Sequence, residues 1–269
     1  ADLLRLWLYN LPVLATFGPE RTLLANAALA SLEPGAAAPD VDSWVAGGWN
    51  PGDELCGALI RADAYGYACL GRPSLAAELA WRDAGMTHRG TGLYGAMFIA
   101  AAIAAAPASQ DPLAMFSTAL GFVPQRSRFA EAVRFALDRV AEARDWRDGY
   151  RAIHDRFGDF GHCMVLQEIG TVINTLRFAD DIGHGICLQV MQGNDTDSFG
   201  ATAGSLLGAF FGPGHLEERW TAPFADRIQL ALATTWESSL SRLTSRMAAL
   251  PALVAAELTS RPGTTKESA

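Results

Sequence analysis

The sequence predicts an all-α fold, a single-domain multi-helix bundle, and three observations predict it. Apolar residues recur at helical rather than alternating spacing along nearly the whole chain. No period-two stretch is longer than a few residues, and no internal repeat is present. Half of the 269 residues are hydrophobic and only 19% are charged. That charge-poor, alanine-rich balance excludes intrinsic disorder and suits a large core.

Taken in order, residues 2–16 place Leu3, Leu6, Trp7, Leu11 and Leu14 on one helical stripe. Pro19 opens a second helix that includes Leu23, Leu24, Ala27 and Ala28. Residues 35–52, rich in Gly and Pro, form the one long irregular stretch, and Trp44 and Trp49 give it the means to pack as an ordered loop. A helical segment over 53–68 leads to Ser74, a candidate cap for the helix ending at Ala84. The glycine-bearing junction from His88 to Gly92 precedes an apolar run, Leu93 to Ala106. Its 14 residues fall short of the roughly 20 needed to span a bilayer, so it reads as a helix buried all round.

Asp111-Pro112 opens the next helix, and residues 124–127 precede one over 128–143 with Phe129, Val133, Ala136, Leu137 and Val140 inward. Further helices are expected over 145–157, 162–179, 183–191 and 200–211, with one or two over 224–255. The domain spans 1–255, and residues 256–269 read as a disordered tail. The first residues lack an initiator methionine and begin inside an amphipathic pattern, which reads as a fragment or a processed form.

Twenty-one basic residues against 29 acidic ones give a net charge of −8, which argues against a nucleic-acid-binding surface. No signal peptide and no membrane span are read at the start of the chain. Cys56, Cys69, Cys163 and Cys187 are scattered without a CxxC pair, so a zinc ribbon is not expected. They read as reduced thiols of a cytoplasmic protein.

The chemistry concentrates in Gly193-Asn194-Asp195-Thr196-Asp197-Ser198-Phe199-Gly200. Two carboxylates at i and i+2, with two hydroxyls, offer the oxygen density that hard divalent cations take, at a helix N-terminus whose dipole keeps acids ionised. A plain N-cap is the competing reading, although a cap needs one such residue rather than four. An EF-hand is excluded by spacing. The helix that follows carries Gly200, Gly204, Gly208 and Gly212 on one face, a pattern that calls for close approach of another helix.

The run GNDTDSFGATAGSLLGAFFG, from Gly193 to Gly212, resembles the C-terminal signature of the ADP-ribosylglycohydrolase family. Other segments agree in order: Cys56 to Arg61 is similar to a G-A-x-x-R element, and Ala80 to Ala84 with Met86 to His88 is similar to the helix leading into a T/S-H motif. Leu93 to Phe98 resembles the start of the following helix, and Pro124 to Arg128 a P-x-x-S-R turn of one bacterial branch. The resemblance covers roughly residues 1–235 and implies an all-α fold with a two-ion magnesium (Mg²⁺) centre in a cleft. It implies Asp195, Asp197 and Ser198 as metal ligands. It also implies His88, Gly90 and Gly92 as lining for ADP-ribose, with Gly57 and Arg61 on the same wall. Arg61 reads equally as a structural ion-pair partner.

The departures are equally specific. The family's N-terminal G-D-x-x-G and paired-Asp elements are missing, and residues 1–50 offer only Asp2, Glu20, Glu33, Asp40 and Asp42. Glu168 stands where the bacterial branch tends to carry asparagine. Asp180-Asp181 reads as a solvated turn. The resemblance implies a Mg-dependent hydrolase that removes ADP-ribose from an ADP-ribosylated protein or small-molecule conjugate. The alternative is a non-catalytic ADP-ribose or nucleotide binder, or a structural protein, on the same scaffold.

Overall fold

A computed structural model describes residues 2–31 and 50–260. Among the described residues there are thirteen α-helices and no strand, only an isolated bridge between Arg227 and Ser239. The loop around Trp44 and Trp49, Glu33, Asp40 and Asp42, and residues 261–269 lie outside them.

Helices α1 (Asp2–Asn10) and α2 (Gly18–Ser31) come first. A 3-10 segment, Cys56–Arg61, leads into α3 (Asp63–Ala68), and α4 (Pro73–Ala84) follows. Ser74 does not cap α4: Pro73 takes its first turn and Arg72 the cap position, because proline's missing N–H costs nothing there. The central element is α5 (Gly90–Ala105), in which 13 of 16 residues are buried. Counted with its 3-10 extension to Ala108, it is long and apolar enough to cross a membrane, but 78% of that window is buried inside the protein. It is a core helix.

Around α5 stand α6 (Pro112–Leu120), α7 (Arg128–Glu142), α8 (Trp146–Phe157) and α9 (Leu166–Phe178). Then come α10 (Ile182–Met191), α11 (Thr196–Phe211), α12 (Leu240–Ala248) and α13 (Leu250–Ser260). One face of α5 sends Phe98 into the main core, stacked 5.6 Å from Phe116 and edge-on 5.5 Å from Phe129. Such pairs add to the gain from burying their area. The opposite face presents Ala96, Ala100 and Ala104 to the alanines of α4, a close, small-residue interface.

Helix starts follow their caps. Asp111, Asp145 and Asp181 accept from the backbone N–H three residues on, at 2.9, 2.9 and 2.7 Å, and Ser127 does the same for α7. Asp181 is thus a cap, and exposed Asp180 pairs with His184 at 3.1 Å.

Three elements differ from the sequence reading. Residues 225–239 are irregular rather than helical, because Asp226 accepts from Ser239 Oγ and from Ser241 N at 2.7 Å each, a local alternative to the helix ladder. Residues 256–260, placed with the tail, continue α13. The glycine face of α11 is not a uniform helix contact. A Cβ on Gly200 or Gly204 would meet Val190 or Ile186 at ordinary distance, while Gly208 and Gly212 have nothing within 4 Å. Gly204, Gly208 and Gly212 instead line a groove of about 410 Å³ with Tyr67, Leu70 and Pro107.

Candidate active site

Two groups of polar side chains meet around the segment 50–61. The outer group centres on Arg61, whose guanidinium pairs with Glu20 and, at 2.9 Å, with Asp83. It also donates to Thr87 Oγ1 at 3.1 Å and lies over the Trp7 ring, 4.7 Å from the centroid. His88 is fully buried beside it. Ala58 N donates to His88 Nε2 at 3.3 Å, and Nδ1 lies 2.8 Å from Thr87 Oγ1. Burial, reinforced by Arg61 and Arg89, holds the imidazole down to about 3, so it is neutral at physiological pH.

The glycines of this region serve close approach. A Cβ on Gly57 would stand 2.9 Å from Glu20 Oε1 and 3.2 Å from His88 Nε2. One on Gly92 would stand 2.6 Å from Leu55 O. Gly90 has φ +49°, and Glu54 occupies the space a side chain there would take. Gly57, Arg61, His88, Gly90 and Gly92 are therefore brought together, as the joint between segment 50–61, α2 and the start of α5.

The inner group lies at the mouth of α11. Asp195 occupies the N-cap position but makes no cap bond, unlike Asp111, Asp145 and Asp181. Its carboxylate turns toward two thiols instead: Cys56 Sγ is 3.5 Å and Cys163 Sγ 3.4 Å from Oδ2. Cys56 N donates to Cys163 O at 2.9 Å, which ties the two thiol-bearing segments. Burial opposes ionisation of Asp195, but the neighbouring side chains of Asp197 and Ser198 and the two thiols that donate to it hold it below the usual carboxylate range. The structure therefore places Asp195, Asp197 and Ser198 together, with Asp197 exposed.

Glu168 completes the group from the first turn of α9. It is buried, and Oε1 accepts from Cys163 N at 2.8 Å. Oε2 is buried without a hydrogen-bond partner. Burial first, joined by the charge of Asp195 and opposed by the backbone N–H groups of Cys163, Val165 and Asp195, pushes Glu168 up to about 7. Burial and the same neighbouring acids raise Cys163 to about 11 and Cys56 well above the thiol range. Cys163 (φ 63°), Val165 (φ 66°) and Asn194 (φ 62°) flank the group in the left-handed region. For branched Val165 this is a strained conformation, of the kind that concentrates at functional sites.

Cys56 and Cys163 escaped the sequence reading. They stand 139 and 32 residues from Asp195, and no local motif joins them. The signal that was visible is Glu168, an acid in a position where the resemblance favours an amide.

The structure thus shows an all-helical domain with an acidic helix mouth beside a closely packed glycine joint. The profile of the ADP-ribosylglycohydrolase family matches residues 4–251, and the chain belongs to that family. No curated protein matches the sequence. The family is hydrolytic, metal-dependent and acts on ADP-ribosylated substrates.

Proposed function

We propose that this chain hydrolyses the bond between ADP-ribose and its acceptor with a magnesium ion held at Asp195, Asp197 and Ser198. The observation that carries this is the unused cap: Asp195 leaves the helix N–H groups and keeps an ionised carboxylate beside two further oxygen donors. These donors fit a hard cation that retains part of its water shell. When bound, the ion would polarise the oxygens of the ribose whose anomeric bond breaks.

The chain's own residues do the remaining work. Asp195 and Asp197 place negative charge where an oxocarbenium-like transition state develops positive charge. The first N–H groups of α11 keep that mouth suited to a diphosphate or a carboxylate. Gly57, Arg61, His88, Gly90 and Gly92 hold the wall on which ADP-ribose rests, through the joint described above. The acceptor is an ADP-ribosylated protein or small conjugate, and reduced thiols suit a cytoplasmic setting.

The test is release of ADP-ribose from ADP-ribosylated arginine and serine peptides with and without Mg²⁺. Asp197→Ala is expected to lower Mg²⁺ affinity in calorimetry by more than the about 10–100-fold that an outer partner of a metal site is worth. Unchanged affinity would sink the metal assignment.

One observation favours a second reading, a binder that keeps the cleft without the chemistry: among the described residues no second acidic pair faces Asp195. In that case ADP-ribose raises the melting temperature equally with and without magnesium.

A further inference from the structure

We propose that Cys56, Cys163 and Asp195 form a site for a thiophilic divalent cation of the zinc class, on the inner side of the Asp195 carboxylate, with the buried carboxyl of Glu168 beside it. Three ligand atoms, Cys56 Sγ, Cys163 Sγ and an Asp195 oxygen, lie within 4.8 Å of one another. The two S···O separations are 3.5 and 3.4 Å. Around a tetrahedral ion with Zn–S near 2.3 Å and Zn–O near 2.1 Å, neighbouring ligands stand about 3.5 Å apart. The spacing already matches.

A thiol hydrogen-bonded to a carboxylate would give similar distances, so a second observation has to decide. It is Glu168. The side chain is 1% exposed, and it acts electrostatically on both thiols and on Asp195. Its Oε2 has no partner. A buried polar atom without a partner is rare and costly in a native fold. None of the largest electrostatic influences on these four side chains comes from an arginine, lysine or histidine. A cation held by the two thiols and Asp195 supplies positive charge next to the Glu168 carboxyl.

The donor set chooses the ion. Two sulfurs and a carboxylate suit zinc and disfavour magnesium, which takes oxygen in octahedral geometry. Binding releases the two thiol protons to solvent and forms two metal–sulfur bonds, with no oxidation or reduction. The site does not rest on the hydrolase reading: it shares Asp195 with the magnesium position and uses ligands that position does not.

The experiment is titration of the reduced, metal-free chain with Co²⁺, a spectroscopic stand-in for zinc, followed by competition with Zn²⁺ and then Mg²⁺. The expected result is one equivalent of Co²⁺ with near-ultraviolet sulfur-to-metal absorption, bleached by Zn²⁺ and untouched by excess Mg²⁺. Cys56→Ser and Cys163→Ser each lose part of the absorption, and the double variant loses it all, with affinity down by at least about 100-fold. Cys187→Ser, at an exposed thiol away from the group, keeps it.

Thermal unfolding of the unsubstituted chain gives a readout independent of whether the variants fold: Zn²⁺ raises its melting temperature at concentrations where Mg²⁺ does not. Absence of the sulfur-to-metal band in the unsubstituted chain, or its survival in the double variant, overturns the proposal. Magnesium-supported release of ADP-ribose by a chain without that band overturns it and leaves the hydrolase reading standing. The band in a chain that neither binds nor hydrolyses ADP-ribose supports the site and removes the hydrolase reading.

Discussion

Arg61 and Cys56 lie on the same short 3-10 segment, yet their surroundings are built on opposite principles. Around Arg61, half-buried Glu20 and buried Asp83 meet a guanidinium, and His88 is kept neutral. Around Cys56, two thiols and the Asp195 carboxylate converge with Glu168 nearby, and none of the largest influences on Cys56 is a basic side chain. Buried charge persists only when paired or coordinated. The first group is therefore finished as folded, and the second is finished by something that binds.

The largest expected effect comes from breaking the finished side. Arg61→Ala leaves Glu20 and Asp83 without their cation and is expected to cost about 3–5 kcal/mol, read as the loss of denaturant midpoint at unchanged slope. A cost below 1 kcal/mol would show that the pairing does not hold the joint.

His88 tests the same side through acid. Its unfolded ring protonates near 6.5, and the folded ring only near about 3, so the unfolded chain binds more protons between those values. Stability should fall as pH drops below 6.5 and level off near 3, by up to about 5 kcal/mol in all. His88→Gln should flatten that part of the stability-versus-pH curve. An unchanged slope would assign the acid sensitivity to other groups.

Glu168 gives the opposite sign on the unfinished side. Its folded value of about 7 lies above the ordinary 4.5, so the folded chain holds the proton longer, and stability falls as pH rises from 4.5 through 7. Glu168→Gln keeps an acceptor for Cys163 N and removes the charge. In metal-free protein it should add about 3 kcal/mol at pH 8 and little at pH 4.5, checked by thermal unfolding at both. Equal effects at both pH values would break the contrast between the two groups.

The smallest effect compares helix mouths. Asp145→Ala should cost about 1 kcal/mol by removing a cap, whereas Asp195→Ala in metal-free protein should cost nothing through capping. Equal losses in chemical denaturation would return Asp195 to the role of an ordinary cap.

How much of this was legible in the sequence depends on distance along the chain. The bundle was readable because caps and apolar spacing are local: Asp111, Ser127, Asp145 and the apolar run before Pro107 mark their helices directly. Residues 225–239 were not, since an apolar pattern does not reveal that Asp226 binds Ser239 and Ser241. The acidic mouth at Asp195 was visible as one contiguous run. The two thiols were not, because the fold alone brings Cys56 and Cys163 to it from separate segments. The open groove along Gly208 was hidden for a related reason: glycine spacing shows where a Cβ is missing, and not what stands opposite.

The alanines of α5 have a consequence for how the site is assembled. Alanine has no χ angle to freeze, so ordering Ala100, Ala101, Ala102, Ala104 and Ala105 costs no side-chain rotamer entropy. The packing partner, α4, is the neighbouring helix in the chain, so only a short loop must close to form that pair. The scaffold beneath Cys56 is thus cheap to order, and it supports the strained turn carrying Cys163 and Val165.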